Sequence, residues 1–256
     1  MSNVFLSTSL VTLAQRSIGC YDDDTVCDGK VYGFRPSSLL TIIATISGLM
    51  AAFLLPFIGA IVDFTKYRRQ LGAGVAAFSI AIQAIQIGTV QATWFFMAVL
   101  QAINGFNYSA LAVAANAYLP EIRREIGEET TSVYSSKYYM FMFGIEALYL
   151  IVVVAVSIAL FDSDDVLTAQ FGQAFDVLVS GSFYALAFYF FTEKEARRTL
   201  AEGQSLTIAG IRQVCVTIAG IWKHYPTTLG WFLLGVVFGE SGTKLVERFL
   251  MKHFDS

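Results

Sequence analysis

The sequence predicts an all-α, polytopic membrane helix bundle, and three observations carry that expectation. The first is composition: of 256 residues, 55% are hydrophobic and only 14% are charged, with a mean hydropathy of +0.59. A soluble domain carries about 25% charged residues, so this chain cannot cover its own surface in water. The second is patterning: apolar residues fall in runs of the length that crosses a bilayer core, roughly 20 residues for about 30 Å. The third is that 20 Gly, 22 Phe and 12 Tyr stand against 4 Pro, which suits packed transmembrane helices where glycine allows close approach. The same composition excludes a disordered chain and a typical soluble enzyme. A net charge of −3 gives no pull toward polyanions and excludes a nucleic-acid partner. The lipid bilayer is the expected partner.

The elements follow in order. Val4 to Ala14 is apolar but interrupted by Ser7, Thr8, Ser9 and Thr12, and it is too short to span alone. The basic n-region of a secretory signal is missing before it, so it reads as the outer end of a helix that begins outside this chain. Ser17 to Ser37 is polar and holds Cys20, Asp22, Asp23, Asp24, Cys27 and Asp28. Two cysteines across a polar loop in an oxidising compartment suggest a Cys20–Cys27 disulfide. Metal binding is the alternative, but no His lies nearby and the acids lack the EF-hand spacing. No metal and no cofactor is expected, and the acid cluster reads most simply as a solvated loop. Cys215 reads as a free thiol on the opposite side.

Five spans follow: Ser38 to Val62, Leu71 to about Val90, Trp94 to about Leu119, Tyr138 to Phe161, and about Phe175 to Phe191. A sixth, irregular span opens near Thr227 and holds Glu240 and Lys244. Loop charges set the orientation. Lys66, Arg68 and Arg69 follow the first span; Arg123, Arg124 and Lys137 follow the third; Lys194, Arg197, Arg198, Arg212 and Lys223 follow the fifth. By parity these loops share one side, expected to be cytoplasmic. The other side carries the uncharged Gln91 to Thr93 and the acids Asp162, Asp164 and Asp165. Within the segment from Thr192 to Tyr225, Ile208, Ile211, Val214, Val216, Ile218 and Ile221 fit an amphipathic helix lying on the membrane face. The loop as a whole is expected to be mobile. Trp94, Trp222, Trp231 and the Tyr138–Tyr139 pair sit near span ends, as interfacial anchors do.

Catalytic chemistry is not apparent. The two histidines, His224 and His253, belong to no metal or nucleophile motif, and no span presents paired carboxylates. An enzyme is not expected. Polar residues inside apolar helices are the candidates instead, because they mark transport pathways more often than reactions. Glu146 lies within a span, and Gly144 suggests tight packing around it. Its two readings are a proton or ammonium site and a neutral, hydrogen-bonded packing acid. Glu240 carries the same logic, with Lys244 one turn later as its ion-pair partner. Asn104 and Asn107 share a helix face, and so do Gln83 and Gln86. Each pair fits either substrate contact or interhelical packing, and packing is slightly favoured for the asparagines. Asn116 closes the same span.

Motifs add a resemblance. Gly59-Ala-Ile-Val-Asp63-Phe-Thr-Lys66-Tyr-Arg68-Arg69 places a glycine and an acid on one face at a helix end. There the macrodipole disfavours the acid, so Asp63 needs partners. This stretch resembles the gate motif between helices two and three of the major facilitator superfamily; Gly59, Ile61, Asp63, Arg68 and Leu71 fit it. Phe64 and Lys66 depart from it, standing where the motif has the arginine after the acid and the second glycine. A second block, Asn116-Ala-Tyr-Leu-Pro-Glu121-Ile122, closes a span as in the vacuole effluxer family linked to autophagy. A third, Glu240-Ser-Gly242, is similar to the start of that family's seventh helix.

The resemblance implies a partial major-facilitator fold of about six to seven helices. Residues 1–192 would form an N-terminal bundle with helix one incomplete, 193–225 a central cytoplasmic loop, and 226–256 helix seven with a truncated or misjoined end. It implies a transporter in the vacuolar membrane, exporting amino acids by alternating access. Gly59, Asp63, Arg68 and Arg69 would be its gate, and Asn104, Asn107, Glu146 and Glu240 its substrate contacts. The alternative is a truncated, non-transporting or regulatory membrane protein that needs a partner half, supplied by another chain or a second copy of this one.

Overall fold

Leu6, Leu10, Leu13 and Ala14 recur at the spacing of one helix face, and helix is what they form. The computed structural model of the chain describes residues 3–20, 29–191, 196 and 205–224. Among these residues there is no strand; an isolated bridge between Val31 and Phe34 closes a tight turn. Tyr32 and Gly33 make that turn at φ values of 48° and 89°. The chain divides into two units, residues 1–200 and 201–256.

In the first unit, α1 (Asn3–Arg16) buries its Leu stripe against Leu39 and against Trp94, Met97 and Ala98. Its 14 residues rise about 21 Å, short of a bilayer core. A 3₁₀ turn over Pro36–Ser38 leads into α2 (Leu39–Phe64), where Pro56 removes one backbone donor from the helix interior. Then come α3 (Arg68–Gln86), α4 (Trp94–Asn116), α5 (Leu119–Ile126), α6 (Glu128–Leu160) and α7 (Asp165–Phe190). α4 is central: α2, α3 and α1 all pack on it, while α7 packs on α3, α1 and α6. In the second unit, α8 (Leu206–His224) is a helix over the later part of the central segment, where the isoleucine and valine spacing led one to be expected.

The boundaries differ from the sequence expectation in three places. The stretch between Leu119 and Tyr138 is helix rather than loop. α5 opens with Pro120 in its first turn and ends at Gly127, whose φ of 83° breaks the helix; α6 starts at once. At 33 residues, α6 rises about 50 Å, so its charged first turns extend beyond an apolar core. α7 begins ten residues earlier than the apolar run suggested. Asp164 caps it by accepting from the Val166 and Leu167 amides at 2.9 and 2.8 Å. Thr168, Gln173 and Asp176 then lower its hydropathy while remaining buried.

Among the described residues, four helical stretches are long and apolar enough to cross a membrane: Pro36–Phe64, Trp94–Ile126, Glu128–Leu160 and Asp165–Phe190. α3, expected to be a span, is not among them. Its 19 residues rise about 28 Å, so length suffices. Apolarity falls short because of Arg68, Arg69, Gln70, Gln83 and Gln86, of which Arg68 and Gln86 are buried within the bundle.

Candidate functional site

Where α3 begins, α2, α4 and α7 end. A helix C-terminus presents unpaired carbonyls and partial negative charge, and the two arginines that open α3 meet three such ends. Arg68, only 2% exposed, donates from Nε to the Val62 carbonyl at 3.3 Å and from Nη1 to the Ala117 carbonyl at 3.5 Å. The same Nη1 pairs with Glu121 Oε1 at 2.8 Å, and the guanidinium lies 5.2 Å from the Tyr118 ring centre. Arg69 donates to the Phe188 and Tyr189 carbonyls at 2.9 and 3.5 Å, in the last turn of α7. Gly72 makes this junction possible: a Cβ there would come within 2.6 Å of Phe188. Arg68 Nη2, Glu121 Oε2 and Tyr118 Oη are buried here without a partner among the described residues.

Two members of the expected gate behave differently. Asp63 is half-buried, and no hydrogen bond or ion pair reaches it among the described residues. The acid that Arg68 selects is Glu121, from the second motif. A Cβ at Gly59 would meet open space, so no described element makes the close approach expected there. The α2–α4 approach occurs instead at Gly105, where a Cβ would lie 2.5 Å from Ser47 Oγ.

The bundle interior carries a file of polar side chains. Asn104 and Asn107 are 6% and 3% exposed on one face of α4, and Asn107 Nδ2 has no partner among the described residues. Asn116 is exposed. Gln86 donates to Gln101 Oε1 at 3.1 Å and to the Met97 carbonyl at 3.3 Å, tying α3 to α4. Gln83 donates to Asp176 Oδ2 of α7 at 2.9 Å, and Ser180 donates to Oδ1. Gln173 is fully buried with both amide atoms unpartnered among the described residues. Tyr149 Oη donates to the Gly172 carbonyl at 2.9 Å, joining α6 to α7. At the other end of the bundle, Thr12 donates to Asp165 Oδ2 at 2.8 Å and Gln91 to the Leu13 carbonyl at 3.0 Å.

Glu146 is half-buried on α6, and a Cβ at Gly144 would meet open space, so the tight packing expected around it is not present among the described residues. Trp94 is 4% exposed and packs in the α1–α4 core beside Tyr32 and Phe95; it is a core residue rather than an interfacial anchor. Tyr138 and Tyr139 are exposed. Cys20 is disulfide-bonded and Cys215 is an exposed free thiol. Cys27, Glu240, Lys244, Trp231 and the acids 22–24 and 28 lie outside the described residues. Among the described residues no three His, Cys, Asp or Glu side chains gather as a metal site.

Asp176, Gln101 and Gln173 are absent from the sequence-derived candidates. Asp176 had a signal, a lone charge inside an apolar run. Gln101 and Gln173 had none beyond their polarity. The profile of the family described as "Vacuole effluxer Atg22 like" matches residues 2–244 of this chain. No curated protein and no solved structure gives a match.

Proposed function

The chain belongs to the vacuole effluxer Atg22-like family, and on that premise we propose that it is a transporter of the vacuolar membrane, moving amino acids toward the cytoplasm by alternating access. The helices of residues 1–200 rock against a second set of helices, from a partner half or a second copy, with the solute path between them. The observation that carries the reading is the buried polar face of α4. A buried donor left without a partner costs about 1–3 kcal/mol, and Asn107 Nδ2 is such a donor in an apolar spanning helix. A solute carboxylate would supply the missing acceptor. The Arg68–Glu121 junction acts as the end-closure of the path, with Asp63 and Arg69 beside it.

The test is flux of labelled amino acids in liposomes containing the full chain. Asn107→Leu is expected to reduce flux at least tenfold while the far-ultraviolet spectrum stays helical. Asp63→Asn and Glu240→Gln are expected to slow it too. Undiminished flux in Asn107→Leu would remove the substrate assignment; undiminished flux in the other two would remove the gate and cavity assignments. Flux that appears only after a partner half is added supports the alternative of a chain inactive alone.

A further inference from the structure

We propose that Asp176 is a proton-binding site between α3 and α7, whose protonation state sets how tightly those two helices are joined. Asp176 is 5% exposed, midway along a helix apolar enough to span a membrane. Among the described residues no Lys, Arg or His forms an ion pair with it. A carboxylate taken out of water without a cation is costly, and taking up a proton removes that cost.

The surroundings can serve both forms. Ionised, the carboxylate accepts from Gln83 Nε2 on one oxygen and from Ser180 Oγ on the other. When a proton arrives on Oδ1, that O–H donates to Ser180 Oγ, whose own hydrogen turns toward a backbone carbonyl of α7. Oδ2 goes on accepting from Gln83. No bonded polar atom is orphaned in either state, so the proton can come and go without breaking the packing. The contact with Gln83 changes character, because a hydrogen bond to an ionised acceptor is roughly twice as strong as a neutral one. Protonation therefore loosens the α3–α7 joint.

The ionisable groups around it are few. Tyr149 from α6 and Tyr184 from α7 both interact electrostatically with Asp176. α3 has Arg68 and Arg69 only at its far end, about 21 Å along the helix from Gln83, and α1 has only Arg16. Gln173, three residues before Asp176 on the same face and unpartnered among the described residues, is a neutral hydrogen-bonding group beside it. A sodium ion would need several oxygens at once, and both carboxylate oxygens already face donors.

The experiment is infrared difference spectroscopy of the full chain in lipid, between acidic and alkaline buffer, and it needs no transport. A protonated-carboxyl band is expected to disappear on going alkaline in the wild type and to be missing in Asp176→Asn. Ser180→Ala should shift its frequency, because the hydroxyl partner is lost. Identical spectra in wild type and Asp176→Asn would overturn the proposal. Should Asn at 176 fail to fold, a frequency unmoved in both Ser180→Ala and Gln83→Leu would overturn it equally. A band displaced by sodium at constant pH would replace the proton with a metal cation.

Discussion

The guanidinium of Arg68 reaches a carbonyl of α2, the carbonyl just past α4 and the carboxylate of Glu121. Removing one partner from a fully buried pair costs about 3–5 kcal/mol because the other charge stays buried; Glu121 is 23% exposed, so the cost here falls below that range. Arg68→Ala is therefore expected to lower the melting temperature in detergent, and Arg68→Lys to recover only part, since the three donors of an ammonium sit on one nitrogen and cannot span the acceptors that Arg68 meets from Nε and Nη1. Asp63→Asn should alter stability by less than about 0.5 kcal/mol, because nothing described is bonded to it. Equal melting temperatures for Arg68→Ala and Asp63→Asn would refute this division of roles. Both acids, Asp63 and Glu121, stood out in the sequence. Which of them Arg68 chooses was not legible, because the choice depends on where α4 ends in space. Asp176 was legible in principle as a lone charge, yet the apolar run it opens concealed it.

At the scale of the element, glycine separates what pattern can say from what packing decides. Glycine at a helix crossing is indispensable, whereas glycine on an open face only weakens the helix. Gly105→Val should cost about 1–3 kcal/mol through overpacking against Ser47. Gly59→Ala should stabilise α2 by up to about 1 kcal/mol, the difference in helix propensity. Chemical unfolding of the two variants reads both values; destabilisation by Gly59→Ala would show that a packed neighbour is there after all. If Gly59→Ala is more stable and yet transports nothing, the close approach belongs to the partner half. The length of α7 followed the same logic. Its first ten residues were hidden from hydropathy because Thr168, Gln170 and Gln173 are polar; the Asp164 cap starts the helix there, Thr168 bonds Ser157 of α6, and Gln170 donates to the Thr89 carbonyl.

For the whole molecule, orientation hinges on α3, the helix whose polarity keeps it out of the apolar set. If α3 crosses, Lys66 and Gln91 face opposite sides of the membrane. In a Cys215→Ser background, Lys66→Cys and Lys137→Cys should react with an impermeant maleimide from one side, and Gln91→Cys and Asp162→Cys from the other. Labelling of Lys66→Cys and Gln91→Cys from the same side would break the parity on which the basic-side assignment rests. The sequence by itself determined that this is a membrane bundle and the order of its long apolar runs, because a charge in hydrocarbon is costly and bilayer thickness sets a run length that a window can read. Only the tertiary structure decided that Arg68 pairs with Glu121 and Gln83 with Asp176, residues 53 and 93 positions apart. Those pairings depend on the crossing and rotation of whole helices, which no local period encodes.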